Sequence, residues 1–398
     1  MPVIEQIAAL HDEMTSWRHH LHAHPETAFE EHATAAFVAQ QLSEFGLQVH
    51  QGLAGTGVVG SLVAGRGGGG AIGLRADMDA LPITEANQFR HCSQSPGRMH
   101  ACGHDGHTAM LLGAARYLAA TRRFRGTVHF IFQPAEEAEG GGRVMVEEGL
   151  FTHFPVASVY GMHNWPGLPV GRFAVRPGPM MASFDIFEIV ISGKGTHGAM
   201  PHLGADPIVA GAALVQALQT IVSRTVDPLD AAVVSVTRFN AGHTWNVIPE
   251  KAVLAGTTRA LRVEVRDQVE ATLRRVGASV AAAHGVAADV CYERRYPPTV
   301  NDPGEAGRAA EAAALVVGAD HVDRDLRPSM GAEDFAFMLQ QRPGCYVWIG
   351  NGPFDGNRNL HSPHYDFNDA ILPLGASYWA RLLETILPAD GAVPVATS

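Results

Sequence analysis

The sequence predicts an α/β protein in which a small α/β domain, residues 183–296, is inserted into a larger mixed-sheet domain built from residues 1–182 and 297–398. Three observations carry that expectation. Strand-like apolar runs alternate with helical patterns in the N-terminal part of the chain. Residues able to bind metal cluster where those runs end. The middle of the chain follows the order β-α-β-β-α-β, a self-sufficient split βαβ unit.

The N-terminal residues read as helices. FEEHATAAFVAQQLSEFG places apolar residues at helical spacing and stops at Gly46, a residue suited to follow a helix end. VVGSLVAG and AIGLRAD are short strands on either side of Arg66-Gly67-Gly68-Gly69-Gly70. That glycine run precedes a strand rather than a helix, so it reads as a hairpin loop and not as a phosphate loop. HTAMLLGAARYLAA is a helix, GTVHFIFQPAEE a strand ending in carboxylates, and VASVYGMHN a strand ending in a histidine. From Ser183 the pattern changes. FDIFEIVISG is a strand, DPIVAGAALVQALQTIVS a helix, AAVVSVTRFN and KAVLAGTTRAL strands, VEVRDQVEATLRRVGASVAAAHG a helix and VAADVCYERRY a strand. Mixed helix and strand return after Tyr296.

The 398 residues allow two or three domains, and 46% hydrophobic against 17% charged residues is an ordinary globular balance. A formal charge of −11 argues against nucleic acid or an anionic membrane as a partner. The N-terminus shows no signal-peptide pattern, and no apolar run is expected to reach the roughly 18–20 residues of a membrane span. Cys92, Cys102, Cys291 and Cys345 are too scattered for a disulfide framework, which favours a cytoplasmic protein whose thiols stay reduced.

Chemistry concentrates in Met99-His100-Ala101-Cys102-Gly103-His104-Asp105-Gly106-His107. Thiolate and imidazole together suit a borderline-soft divalent metal such as zinc. Alone, the segment could be a polar surface turn. Other ligand-type residues follow strands or open helices, however: Asp77 and Asp79 after AIGLR, Glu136 and Glu137 after VHFIFQPA, His163 after VASVYGM, and His361 in a loop after CYVWIG. In an open α/β sheet the carboxyl ends of the strands form the crevice where ligands bind, so these residues can converge. Any single histidine is more often structural, but several unpaired carboxylates packed into a core would be costly. Glu136 and Glu137 would point to opposite faces of a regular strand, so they share a site only if the strand has just ended. One can then bind metal while the other takes a proton from water.

The motifs RHHLHAHPETAFEE, GLRADMDALPITE, MHACGHDGHTAMLLGAA, FQPAEEAEGGG, GMHNWP, GKGTHGAMPH, NVIPEKA, MGAEDFAF and LHSPHYDFND run collinearly along nearly the whole chain. In them the chain resembles the aminoacylase/carboxypeptidase family of di-metal peptidases, and within it the branch of hippurate and auxin-conjugate hydrolases. The resemblance implies that Cys102, His104, Glu137, His163 and His361 hold two divalent metals, zinc or manganese first and cobalt or nickel next, with Glu136 as general base. Other branches carry a His-X-Asp ligand motif where this chain has Asp77-Met78-Asp79. Asp79 is then expected to orient a ligand from behind, while Asp77 could be a weak ligand or a structural residue.

In the inserted domain, His197 could be a turn residue and Arg259 a surface charge. The resemblance implies instead that the protein is a homodimer and that His197 reaches across the interface to steady an oxyanion. It also makes Asn246 and Arg259 a clamp for a free α-carboxylate, a group that guanidinium binds well. The resemblance also implies that the loop holding Gly331, Ala332, Glu333 and Asp334 lines the cleft, with no role assigned to Glu333, and His107, His202 and His364 are expected to support ligands from behind or to be structural. The expected activity is hydrolysis of an N-acyl or N-aroyl amino acid to a carboxylic acid and a free amino acid. A dipeptidase using the same metals and clamp is the nearest rival. A catalytically silent metal-dependent binding protein is another, disfavoured because a binder has no use for a spare base at Glu136.

Overall fold

In a computed structural model describing residues 3–65, 69–137, 139–353 and 358–389, the chain divides into two units. Residues 66–68 of the expected hairpin loop lie outside the described residues. The larger unit comprises Met1–Gly178, Val300–Arg327 and Asp334–Ser398, and the smaller comprises Pro179–Thr299 and Pro328–Glu333. The sequence reading placed residues 328–333 in the larger domain. They pack with the smaller unit because the Ala182 N–H donates to the carbonyls of Ser329 and Gly331, at 3.1 and 2.9 Å.

The larger unit is built on an eight-stranded mixed sheet. Its spatial order is Gln48–Leu53, Gly57–Ala64, Gly126–Gln133, Ala71–Asp77, Ser158–Pro166, Gly344–Gly352, Phe173–Ala174 and Val322–Asp323. The four central strands, from Gly126–Gln133 to Gly344–Gly352, run parallel, and the first two pair antiparallel at one edge. Burial follows position. Ala71–Asp77 and Gly126–Gln133 are almost wholly buried, as parallel strands covered on both faces must be, whereas the edge strand Gln48–Leu53 is mostly exposed.

The helix His104–Thr121 packs against this sheet with its first twelve residues buried, and helices His11–Ala23 and Leu372–Ile386 pack on it in turn. Its start is sharp because Gly103 takes a left-handed φ of 101°. A Cβ at Gly103 would collide with Asn164 and Tyr365, so glycine is required there for both reasons.

The smaller unit is a four-stranded antiparallel sheet in the order Ala232–Ala241, Lys251–Ala260, Phe184–Ser192, Ala287–Tyr296. Numbered along the chain this is second, third, first, fourth, the arrangement that the β-α-β-β-α-β order produces. Phe184–Ser192 and Lys251–Ala260 alternate buried and half-buried or exposed residues, and helices Pro207–Thr220 and Val263–Ala283 cover the buried face. Pro207–Thr220 continues into a π turn, Ile221–Thr225. Contrary to the sequence expectation, the combined 19 residues are long and apolar enough to cross a membrane by length and composition. Their apolar character has a local reason, since Ala210, Leu214, Leu218 and Ile221 are buried in this unit's core.

Candidate metal centre

Four chain segments of the larger unit meet at the carboxyl end of its parallel strands. The Ala71–Asp77 strand runs out into Asp79, and Gly126–Gln133 into Glu136 and Glu137. Ser158–Pro166 carries His163, and the turn before His104–Thr121 carries Cys102. The resulting site is dense in donors. Groups of ligand atoms within 4.8 Å of one another join Cys102 with His104 and His163, Cys102 with Glu137 and His361, and His104 with Glu136 and Glu137. All five expected ligands and the expected base are therefore brought together.

The hydrogen bonds leave the ligand atoms pointing inward. His163 Nδ1 donates to the carbonyl of Asn164 at 2.6 Å, which turns its Nε2 lone pair toward Cys102 Sγ, 3.3 Å away. His104 Nδ1 bonds to Asp79 Oδ1 at 3.2 Å, and its buried Nε2 has no hydrogen-bond partner among the described residues. The other oxygen of Asp79 accepts from the Glu137 backbone N–H at 2.9 Å, so one carboxylate orients two of the expected ligands. His361 Nε2 lies 3.2 Å from Glu137 Oε1.

Electrostatics fit the same reading. Burial raises the Cys102 thiol well above its ordinary range, and Glu137, Glu136 and Asp77 push it further. A cation among these groups would favour the thiolate instead and would take up His104 Nε2, which has no hydrogen bond among the described residues and only the Asp77 carboxylate near it, at 3.9 Å. Burial, then the neighbouring His107, lowers His163 and keeps it a neutral ligand. For His104, burial would lower the pKa, but Asp77 and Asp79 outweigh it and raise it to about 10, so a bound cation would have to displace the proton from its Nε2. The thiol, imidazole and carboxylate donor set suits borderline divalent ions.

Glu136 and Glu137 reach one site because the strand has ended and Ala135 adopts a left-handed φ of 53°, which breaks the alternation. Glu136 is buried, and its Oε1 accepts from the Asp334 N–H at 3.4 Å. Asp77, open to either role on sequence grounds, accepts from Arg75 Nη1 at 2.7 Å and from His107 Nδ1 at 2.6 Å. These contacts tie Asp77 to its neighbours, and with His104 and His107 it also forms a group whose ligand atoms lie within 4.8 Å of one another, so both roles fit its placement.

Two supporting networks go beyond the sequence expectation, which put Asp334 in a loop lining the cleft but gave it no partners. Asp334 accepts from Arg75, Gln133 and the Gly142 N–H, tying the loop that touches Glu136 to two core strands. Asp105, next to His104, accepts from His22 Nδ1 at 2.9 Å and lies 3.5 Å from Arg18 Nη1. Arg18 also pairs with Asp366 and Asp369, so this buried cluster fixes the first turn of His104–Thr121 from behind. Neighbouring polar residues in RHHLHAHPE and MGAEDFAF were the available signal.

In the smaller unit, His197 is exposed on a two-residue strand paired with Val247–Ile248, and the Gly198 N–H donates to the Asn246 carbonyl at 2.7 Å. His197 and Asn246 are thus neighbours. Arg259 is not near them. It sits at the far end of Lys251–Ala260, with its guanidinium 4.3 Å from the Phe184 ring. At the usual strand rise that end is roughly 26 Å from Lys251. The expected clamp of Asn246 with Arg259 is therefore not formed within one copy of this unit.

Comparison with known proteins agrees with this geometry. The chain is 41% identical over 382 residues to the hippurate hydrolase of Campylobacter jejuni, covering 96% of this chain and 98% of that protein. It is 40% identical to the N-acetylcysteine deacetylase of Bacillus subtilis, covering 95% and 98%. The crystal structure of the YXEP protein of Bacillus subtilis, described as a dinuclear metal binding peptidase, superposes with a TM-score of 0.84 at 37% identity, covering 96% of this chain and 99% of that one. Residues 73–385 match the profile of Peptidase family M20/M25/M40, and the chain is a member of that family.

Proposed function

We propose that the protein is a two-metal amidohydrolase that cleaves N-acyl or N-aroyl amino acids into a carboxylic acid and a free amino acid. The observation that carries this reading is Glu136: a buried carboxylate whose oxygen lies within 4.8 Å of ligand atoms of His104 and Glu137, and which accepts from the Asp334 N–H. The relatives named above act on N-acyl amino acids of this kind by their names.

Cys102, His104, Glu137, His163 and His361 would hold two divalent ions, zinc or manganese first, whose chemistry is to polarise the amide carbonyl and acidify water. Glu136 takes the proton from the attacking water and delivers it to the leaving amine. The free α-carboxylate is bound by Arg259, whose planar fork matches it. Asn246 and His197 complete the site from a second copy of the chain, His197 steadying the oxyanion. Their placement together, and away from Arg259, supports this division between two subunits of a homodimer. A reducing cytoplasm suits the four free cysteines, Cys102 above all.

The purified protein, loaded in turn with zinc, manganese, cobalt and nickel, should hydrolyse N-acetyl or N-benzoyl amino acids faster than dipeptides. Chelation should abolish that activity and metal should restore it. Preference for dipeptides, or activity indifferent to prolonged chelation, would overturn the reading.

A further inference from the structure

Glu31, the last residue of RHHLHAHPETAFEE, is fully buried and belongs to none of the metal-ligand groups among the described residues. It occupies the N-cap position of helix His32–Glu44, where an acidic side chain ordinarily binds the helix's own free N–H groups. It does not do so. Glu26 takes over that task, accepting from the N–H groups of Ala33 and Thr34 at 3.1 and 2.8 Å. The Glu31 carboxylate turns the other way and collects three donors from three separate segments. Oε1 accepts from the Phe29 N–H at 3.1 Å and the Ala135 N–H at 2.9 Å, and Oε2 from Thr56 Oγ1 at 2.6 Å.

No cation pairs with this carboxylate among the described residues, and burial, with Asp79 nearby, raises it to about 7. Whether this carboxyl is ionised or protonated, its Oε1 can accept from the Ala135 N–H. The donor of consequence is Ala135. This residue is buried, adopts φ 53°, a region that alanine rarely visits, and immediately precedes Glu136 and Glu137. Its peptide is held from both ends, the N–H by Glu31 and the carbonyl by the Gly141 N–H at 2.9 Å. That left-handed residue is what lets two successive glutamates face one site.

We propose that Glu31 is a positioning residue for catalysis, locking the left-handed turn at Ala135 so that Glu136 is held where it can accept a proton while Glu137 binds metal. The inference rests on Glu136 being the general base.

Three variants of the metal-loaded protein test it, with kcat and KM on an N-acyl amino acid that the wild type hydrolyses, metal content and Tm all measured. Glu31→Ala removes the acceptor for Ala135 and should lower kcat roughly 10- to 100-fold with KM within about threefold and metal content unchanged, the pattern of a misplaced catalytic group. Thr56→Ala removes only the Oε2 bond and should lower Tm while leaving kcat within about twofold. Glu31→Gln keeps an oxygen acceptor for Ala135 and should recover kcat to within about threefold of wild type. Should Glu31→Ala not fold, Glu31→Asp takes its place: one methylene shorter, it cannot span Thr56 and Ala135 together, and kcat should fall about tenfold. Wild-type kcat in the folded Glu31→Ala or Glu31→Asp protein would overturn the proposal, as would kcat losses that simply follow Tm across all variants. If Glu136→Gln is itself active, the base assignment fails. If Glu136→Gln is inactive and Glu31→Ala fully active, only the positioning role fails.

Discussion

Burial and the glutamates beside it push the Cys102 thiol up, so its thiolate depends on a cation at the site. Cys102→Ser should therefore lose metal and activity together, because a hydroxyl is a far poorer ligand than a thiolate. Elemental analysis beside turnover checks this, and full metal content with normal turnover would remove Cys102 from the ligand set. Arg259→Ala should weaken hydrolysis of N-acyl amino acids by roughly 2–5 kcal/mol in kcat/KM, the usual loss when one partner of a desolvated charge pair is removed. The matching N-acyl amino amides, which lack the carboxylate, should change little, and equal losses on both would disprove the clamp. At this scale the sequence displayed Cys102, His104, Glu136, Glu137, His163 and His361 plainly, because each sits beside a strand or helix end in a motif of unusual composition. It did not display Glu31 as part of the same site, nor what Asp334 in its cleft-lining loop would bind, nor the Arg18–Asp105 pair. Their partners lie 104, 201 and 87 positions away, and a carboxylate that accepts from a distant backbone N–H has no local pattern to betray it.

Helices and strands were legible where their periodicity was strong. The alternating burial of Phe184–Ser192 and Lys251–Ala260 is the hydropathy alternation seen in the sequence, and the order of elements in the smaller unit fixes its sheet order. The helix over Pro207–Thr225 is legible as DPIVAGAALVQALQTIVS, already through Ser223, and only its apolar length is underrated. Docking of His11–Ala23 onto His104–Thr121 depends on a charge pattern that only the fold assembles. Burial would lower the pKa of His22 from 6.5, but hydrogen bonds from its ring to Asp105 and Glu85 outweigh burial and raise it to about 9. A group raised on folding stabilises fully below its unfolded pKa and loses that contribution as pH rises through its folded one. The stability gained from His22 should thus be complete below about pH 6.5 and vanish through about pH 9. Denaturant midpoints of wild type and His22→Gln should differ most near pH 6 and converge above about pH 9.5. A constant difference across that range would mean that His22 is held neutral.

Across the whole molecule, the distance within one smaller unit between Arg259 and the His197–Asn246 pair is what favours sites shared between two chains. His197→Ala and Glu136→Gln homodimers should each be nearly inactive. Mixed with verified subunit exchange, about half of the dimers are heterodimers carrying one site with both groups intact, so activity should return to roughly a quarter of wild type. Heterodimers that form and stay inactive would return His197 to its own subunit. The proposed hydrolysis depends on Glu136 acting as the base beside metal ligands of which it is not one. The direct test is Glu136→Gln, loaded with metal as the wild type is and assayed on an N-benzoyl amino acid. Metal content should match wild type and KM should stay within about threefold, while kcat falls about 10²–10⁴-fold. Turnover near wild type, or loss of metal on making Glu136→Gln, would contradict the account.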